Sequence, residues 1–166
     1  MVIVIMGVTA SGKTTIGTRA SKRLGWPFYD ADEFHPPANI AKMSRGEPLT
    51  DADREPWLKA LHDKMAEEER AGRGAIFACS ALKAVYRDVL REGLSTVRFV
   101  FLKGDPDVLQ ARLDHRKGHF MPRTMLPSQM AALEEPEPGE ALVVDAAAPP
   151  NELVDAIVDM VNSDKS

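Results

Sequence analysis

Five short apolar runs alternate with longer segments of helical periodicity along this chain of 166 residues. Short apolar runs with β-branched side chains are typical of strands that are buried on both faces of a sheet. The runs read VIVIM at 2–6, PFYD at 27–30, AIFAC at 75–79, VRFVFL at 97–102 and ALVVD at 141–145. The pattern therefore predicts five strands.

The first and last predicted helices show their buried faces in the spacing of apolar residues. Ile16, Ala20 and Leu24 recur every four residues after Lys13, and Gly25 supplies a stop signal. A final helix is predicted from Asn151, with Leu153, Val154, Ile157 and Val161 facing the core.

Capping patterns predict where three further helices begin. Thr50 and Asp53 have the spacing of a capping box, and Pro56 predicts a kink or restart shortly afterwards. Ser80 and Asp105 are each predicted to cap the helix that follows them. The predicted core faces are Trp57, Leu58, Leu61 and Met65 in the first of these helices, and Leu82, Val85, Tyr86 and Val89 in the second.

Strands that alternate with helices predict an α/β domain with a parallel sheet and right-handed crossovers. The length suits one domain spanning residues 1–166. Two segments interrupt the alternation: residues 33–56 are rich in charges and prolines, and residues 115–127 are basic and broken by Gly118 and two prolines. The acidic stretch at 134–140 is predicted to be an exposed connection.

Composition narrows the classes of function. Apolar residues make up 44% of the chain, charged residues 28%, and the net charge is −4, so we expect a soluble protein with no nucleic acid or membrane partner. The lone cysteine, Cys79, excludes an internal disulfide and a multi-cysteine metal site, and its apolar setting predicts a packed thiol. The apolar start is too short for a signal peptide, so a cytoplasmic location is expected.

The stretch GVTASGKT at 7–14 matches the phosphate-binding loop between a buried strand and a helix. Gly7 and Gly12 allow the backbone to turn its N–H groups toward phosphates at a helix N-terminus. Lys13 is expected to reach the β- and γ-phosphates, and the Thr14 hydroxyl to bind Mg²⁺. The predicted ATP-binding residues here are Gly7, Thr9, Ala10, Ser11, Gly12, Lys13, Thr14 and Thr15.

A second candidate for metal and acceptor chemistry is the Asp-Ala-Asp sequence after the second strand. The third strand is followed by Ser80 rather than by the acid of a Walker B motif, and no guanine-reading Asn-Lys-x-Asp stretch is present. On an extended segment Asp30 and Asp32 would point the same way. Asp30 is predicted to order Mg²⁺ and Asp32 to deprotonate an acceptor hydroxyl; the alternative is a capped turn with solvated acids.

Several longer stretches resemble the gluconokinases of the shikimate-kinase-like group of P-loop kinases. They include DADEFHPPANIAKMSRGEPLTDADREPWL, CSALKAVYRDVLR and RKGHFMPRTMLPSQMAALEEP, in the family's order and over nearly the whole chain. The resemblance implies a five-stranded parallel sheet flanked by helices, a substrate-binding segment at 33–65 and a mobile lid at 115–127. The implied activity is transfer of the γ-phosphate of ATP, with Mg²⁺, to the 6-hydroxyl of D-gluconate, by a homodimer.

The same resemblance implies roles for individual side chains. Asp32 would hold and deprotonate the sugar acid, and the implied substrate-binding residues are Asp32, His35, Lys42, Arg54, Ser80, Arg87, His119 and Gln129. Solvated helix faces are the alternative for the basic residues among them, and a turn histidine for His35. DAAAPP at 145–150 lies where this fold wraps adenine.

The basic segment 115–127 is interpreted as the lid that closes over the phosphates. Arg112 and Arg116 fall on one helix face and are predicted to bind the nucleotide; Lys117 would assist, and Gly118 offers a hinge. The predicted catalytic residues are Lys13, Asp32, Arg116 and Arg123. A basic surface loop is the alternative.

Four other functions fit the sequence less well. Nucleoside monophosphate kinases would need a different pocket for the acceptor base, which HPPANIAKM does not resemble. Shikimate kinase also carries an Asp-x-Asp after its second strand, but it would call for a glycine triplet where this chain has CSAL. A non-catalytic nucleotide switch would not need the acid pair and lid arginines. A nucleic-acid kinase would need a basic stripe with stacking aromatics, and aromatic residues are only 6% of this chain.

Overall fold

A computed structural model describes residues 1–115 and 125–165. Its five strands are β1 (Val2–Met6), β2 (Phe28–Asp30), β3 (Ala75–Ala78), β4 (Val97–Lys103) and β5 (Ala141–Asp145). They form one parallel sheet in the order β2-β3-β1-β4-β5. The predicted α/β class, with its five-stranded parallel sheet, is confirmed.

Seven α-helices flank the sheet in the described residues. They are α1 (Lys13–Leu24), α2 (Pro37–Ser44), α3 (Asp51–Arg70), α4 (Ala84–Arg91), α5 (Pro106–His115), α6 (Met125–Ala132) and α7 (Pro150–Asp164). A 3₁₀ helix spans Ala31–Phe34. Helix α2 falls in the first of the two segments that interrupt the predicted alternation, and α6 begins at the end of the second. None of the helices in the described ranges is long and apolar enough to cross a membrane.

The core lies in two layers, one on each face of the sheet. One layer includes Val4 and Phe77 from the strands with Trp57 and Leu61 of α3. The other packs Ile3, Ile5 and Val100 against α1 and α7. Every side chain of β1 is fully buried, which explains the uninterrupted apolar run that predicted this strand. Cys79 is also buried, as predicted.

Two predicted helix caps are present. The Thr50 hydroxyl accepts from the Asp53 amide at 3.1 Å, and the Asp53 carboxylate accepts from the Thr50 amide at 2.8 Å, which completes the capping box. Asp105 Oδ1 accepts from the amide of Asp107 at 2.8 Å and begins α5. Local hydrogen bonds of this kind can be predicted from sequence spacing because donor and acceptor lie within three residues.

The predicted restart of the helix at Pro56 and the predicted cap at Ser80 were wrong. Helix α3 runs without interruption through Pro56, which lies early in the helix and removes only one backbone donor. Ser80 does not cap α4, because that helix begins at Ala84, whose amide donates instead to the Glu134 carboxylate at 2.8 Å. The delayed start also leaves Val85, predicted to be in the core, 55% exposed.

Candidate active site

The phosphate loop lies between β1 and α1 and is shaped by residues with positive φ. Gly7 has φ +152, and a Cβ there would lie 2.7 Å from Ser11 Oγ and 3.1 Å from the Leu102 carbonyl oxygen. Gly12, with φ +99, is the residue before α1. The turn therefore needs glycine at both predicted positions. It leads directly into the N-terminus of α1, where a helix favours anions.

Lys13 and Ser11 complete the loop. Lys13 Nζ donates to the carbonyl oxygens of Gly7 and Val8, each at 3.0 Å, so the ammonium group is held over the loop. Ser11 Oγ is buried and has no hydrogen-bond partner within the described structure. Because buried polar atoms are normally paired, an unpaired hydroxyl in this loop fits a phosphate site better than a packed turn.

A cavity of about 200 Å³ opens beside this loop, and we call it the loop cavity. It lies at the carboxyl ends of β1, β2 and β3, which are neighbours in the sheet, the position where parallel α/β sheets bind ligands. Its lining residues are Thr9, Ala10, Gly12, Lys13, Thr14, Thr15, Asp30, Asp32, Ala78, Cys79 and Ser80. The structure thus brings the predicted loop, both aspartates and Ser80 to one place.

The two aspartates reach the loop cavity through a turn. Asp30 ends β2, and its carboxylate accepts from the amide of Asp32 at 2.9 Å, which caps the 3₁₀ helix. The predicted extended geometry is therefore wrong, and the capped turn that was the alternative is present. Both side chains nevertheless line the cavity. The turn is anchored from α3, since Trp57 Nε1 donates to the Ala31 carbonyl oxygen at 2.7 Å.

The surroundings of Asp32 shift its pKa above the ordinary value for an aspartate. Part of the side chain is exposed in the cavity, but nearby protein atoms displace water from the carboxyl group, and this desolvation raises the pKa of Asp32. The negative charge of Asp30 raises the same pKa, whereas His35 and Lys13 lower it. Desolvation lowers the pKa of His35 itself, and the charge of Arg54 adds to that effect.

A second cavity of about 180 Å³ lies next to the first, and we call it the side cavity. It is lined by Arg54, Trp57, Ser80, Leu82, Lys83, Tyr86, Ser128, Gln129 and Ala132, from α3, the β3–α4 connection, α4 and α6. Ser80 lines both cavities. The two cavities therefore adjoin at this residue.

Three predicted substrate residues do not line either cavity. His35 stacks on Trp57 with ring centroids 4.4 Å apart, and Asn39 Nδ2 lies 3.2 Å from its Nδ1. Lys42 forms an ion pair with Asp53 at 2.6 Å. The third residue, Arg87, is only 1% exposed.

Arg87 instead supports the wall that the β3–α4 connection gives the side cavity. Its guanidinium donates to the Glu140 carboxylate at 2.9 Å and to the Ala81 carbonyl oxygen at 2.8 Å. Ala81 has φ +45, which is costly for a residue with a Cβ. The neighbouring Leu82 carbonyl accepts from the amide of Glu134 at 2.7 Å. The stretch 134–140 is largely exposed, as predicted, but two of its glutamates hold this wall.

Two side chains from beyond α4 contact the phosphate loop. Gln129 Oε1 accepts from the Thr9 amide at 2.6 Å, so this predicted substrate residue bridges the side cavity and the loop. Arg112 donates to the carbonyl oxygens of Ala10, at 3.2 Å, and Ala146, at 2.6 Å. Arg112 thus links the loop to the β5–α7 connection, where the adenine contact was predicted.

Most of the predicted lid lies outside the described residues. These positions are Arg116, Lys117, Gly118, His119 and Arg123. Within the described part, His115 ends α5 and residues 125–127 begin α6.

Sequence analysis missed three polar residues of the side cavity: Lys83, Tyr86 and Ser128. Tyr86 was assigned to a core face only, and Lys83 and Ser128 were given no role. Lys83 and Tyr86 are three residues apart, and so close on one helix face, directly after Ser80. This spacing could have indicated from the sequence that Lys83 and Tyr86 belong to the same site as Ser80.

Comparison with known proteins identifies the family. The shikimate kinase family model matches residues 9–160. A gluconokinase from Gluconobacter oxydans (strain 621H) is 50% identical over 141 residues, covering 85% of this chain and 79% of that protein. The thermoresistant gluconokinase of Escherichia coli (strain K12) is 43% identical over 166 residues, covering 99% of this chain and 95% of that protein.

A solved structure agrees with these relatives. The crystal structure of a gluconokinase from Sinorhizobium meliloti 1021 has a TM-score of 0.82 and 45% identity, covering 92% of this chain and 86% of that chain. The similarity extends over both the phosphate loop and the segments that build the side cavity. The chain therefore belongs to the gluconokinases, within the wider shikimate kinase family.

Proposed function

We propose that this protein transfers the γ-phosphate of ATP to the 6-hydroxyl of D-gluconate, yielding 6-phosphogluconate and ADP. The observation that carries the proposal is the junction of the two cavities at Ser80, with the phosphate loop on one side and a cationic pocket on the other. This arrangement suits a donor phosphate and an elongated polyhydroxy acid placed end to end.

ATP is assigned to the loop cavity. The N–H groups of residues 10–15 and the Lys13 ammonium would hold its β- and γ-phosphates, and Arg112 fixes the loop from the adenine side. Lys13 would exchange its carbonyl partners for phosphate oxygens, which are stronger acceptors because they are charged. The predicted lid residues Arg116 and Arg123 belong to this proposal as further phosphate contacts.

The residues of the loop cavity also fit Mg²⁺. Thr14 and Asp30 bring a hydroxyl and a carboxylate group to one cavity, and oxygen is the donor type that Mg²⁺ prefers. Among the described residues no group of three or more His, Cys, Asp or Glu side chains could hold a metal by itself. This fits Mg²⁺ in kinases, which is shared with phosphates and water. When bound, the ion would neutralise charge on the phosphates.

Asp32 is proposed as the base. Its carboxylate would accept the proton of the 6-hydroxyl as the oxygen bonds to the γ-phosphorus and the bond to the β–γ bridging oxygen breaks, which releases ADP. The turn that carries Asp32 is fixed by the Asp30 cap and by the Trp57 indole. Because the turn is anchored, the carboxylate is already in position when the acceptor binds.

The remainder of gluconate is assigned to the side cavity, with Arg54, Ser80 and Gln129 as polar contacts. His35 and Lys42 are proposed to act on gluconate after a rearrangement of α2, and His119 from the lid. Arg87 is proposed to act through the wall it supports. The homodimer and the cytoplasmic location implied by the family resemblance are part of the same proposal.

The proposal is tested by measuring ADP formation from ATP and Mg²⁺ with D-gluconate, with shikimate and without acceptor. We expect turnover with gluconate only, and phosphorus NMR should show a phosphate monoester coupled to the C6 protons. Turnover with shikimate alone would assign the protein to the other branch of its family. An ATPase indifferent to both acceptors would refute acceptor phosphorylation.

A further inference from the structure

The side cavity carries two cationic side chains. Among the described residues that line it, Arg54 and Lys83 are positively charged and none is negatively charged. The nearest acid is Asp51, whose Oδ1 lies 3.8 Å from Lys83 Nζ and 3.9 Å from Arg54 Nη1. Two cations against one anion leave one positive charge, which is the complement of a single carboxylate.

Tyr86 holds this group of charges together. Its hydroxyl donates to Asp51 Oδ1 at 2.6 Å. The Arg54 guanidinium carbon and Lys83 Nζ lie 5.5 Å and 5.7 Å from the centroid of the same ring. The two cations are therefore held near each other by one buried aromatic side chain, within the distance at which a ring attracts a cation.

The ion pair between Asp51 and Lys83 is a weak one. The Asp51 side chain is 69% exposed. The distances from its Oδ1 to Lys83 Nζ and to Arg54 Nη1 are both longer than hydrogen bonds. Exposed pairs of this kind contribute little because water screens them. A ligand carboxylate inside the cavity would be less screened, so it would compete with Asp51 for Lys83.

We propose that Lys83 is a specificity-determining residue that, together with Arg54, binds the carboxylate of the acceptor in the side cavity. This inference rests on the proposed function and gives the acceptor a direction. The carboxylate end lies between Arg54 and Lys83, the hydroxyls pass Ser80, and the terminal hydroxyl reaches Asp32 in the loop cavity. Carboxylate and reacting hydroxyl are at opposite ends of gluconate, as this placement requires.

The test compares D-gluconate with D-gluconamide, a neutral analogue of nearly the same shape, in wild type and Lys83→Met. We expect the KM for gluconate to rise about 10- to 100-fold, the usual worth of a hydrogen bond to a charged group, with kcat changed by no more than about twofold. The matched control is Lys59→Met, whose side chain is 77% exposed on α3; it should leave both constants unchanged.

Gluconamide separates charge recognition from a general disturbance of the cavity. Its KM, or its inhibition constant against gluconate if turnover is slow, should be the same in Lys83→Met and wild type. Lys83→Arg should recover most of the affinity for gluconate. Should Lys83→Met fail to fold, Lys83→Gln provides the same comparison.

Three results would overturn the inference: equal losses with gluconate and gluconamide, an unchanged KM for gluconate, or a wild type that does not distinguish the two acceptors. Each requires that wild type phosphorylates gluconate. Absence of that activity would instead refute the proposed function, so the two failures are distinguishable.

Discussion

The loop cavity and the side cavity adjoin at Ser80, yet they are built in different ways. Six of the eleven residues that line the loop cavity come from the stretch 9–15, and the shape of this stretch depends on backbone turns at Gly7 and Gly12. The side cavity is assembled from three stretches that are distant in sequence, at 54–57, 80–86 and 128–132. Its walls depend on contacts between side chains, such as that of Arg87 with Glu140. The site thus joins a local phosphate-binding turn to a composite acceptor pocket.

The largest expected effect concerns Asp32, the side chain of the loop cavity that would accept the proton of the acceptor hydroxyl. Asp32→Asn should lower kcat for gluconate by about 10²–10⁴-fold, because a carboxamide cannot accept the hydroxyl proton. The KM for ATP should change little, because the phosphate loop is intact. Steady-state kinetics with Glu33→Gln, an exposed neighbour on the same turn, provide the control. A loss below about tenfold would show that Asp32 is not the base.

The wall of the side cavity is tested by Arg87→Met, which removes the guanidinium group but keeps most of the stem. Breaking a buried ion pair costs about 3–5 kcal/mol, and the Ala81 carbonyl would also lose its donor. We expect that decrease in the free energy of unfolding in urea, with a higher KM for gluconate.

Arg91→Met is the matched control, because Arg91 also contacts Glu140, at 3.3 Å, but is 38% exposed. Its cost should stay below about 1 kcal/mol. Equal losses in the two variants would mean that burial of Arg87 does not strengthen the wall.

The link between the cavities is tested by Gln129→Met. Removing Oε1 leaves the Thr9 amide without this acceptor, and a hydrogen bond contributes about 1 kcal/mol. In the nucleotide-free protein, amide exchange at Thr9 should become about fivefold faster by NMR. Gln110→Met on α5 should not alter it. Unchanged exchange at Thr9 in Gln129→Met would rule out this link.

The smallest expected effect concerns the ion pair of Asp53 with Lys42 and its contribution to stability at low pH. A hydrogen bond from Lys42 is the main cause that lowers the pKa of Asp53 to about 2, with help from Thr50. A lowered pKa in the folded state stabilises the protein above the unfolded value of 3.8, and the contribution is lost as the pH falls toward 2.

Asp53→Asn should therefore lower Tm slightly at pH 7. Its difference from wild type should shrink as the pH falls from about 4 to 2. Asp63→Asn, which alters an exposed carboxylate on the same helix, is the comparison for thermal melts followed by circular dichroism. A difference that is constant with pH would show that the Asp53 charge contributes nothing.

Sequence patterns predicted the sheet, the phosphate loop, the capping box at Thr50 and the cap at Asp105. In each case the residues that form the pattern are close in the chain, so their spacing alone indicates the local structure. The resemblance identified the family, and through it the acceptor, because it rests on long stretches of sequence in a fixed order. Errors arose where a distant residue competed, as when Glu134 capped α4 in place of Ser80.

The sequence by itself determined the strands, the loop that turns at Gly7 and Gly12, and the acid pair beside it. Only the tertiary structure decided that Arg87 faces Glu140, that Gln129 contacts the Thr9 amide, and that Lys83 enters a cavity with Arg54. The first two contacts join residues 53 and 120 positions apart. Periodicity and capping act over a few residues, whereas such contacts exist only after the helices have packed on the sheet.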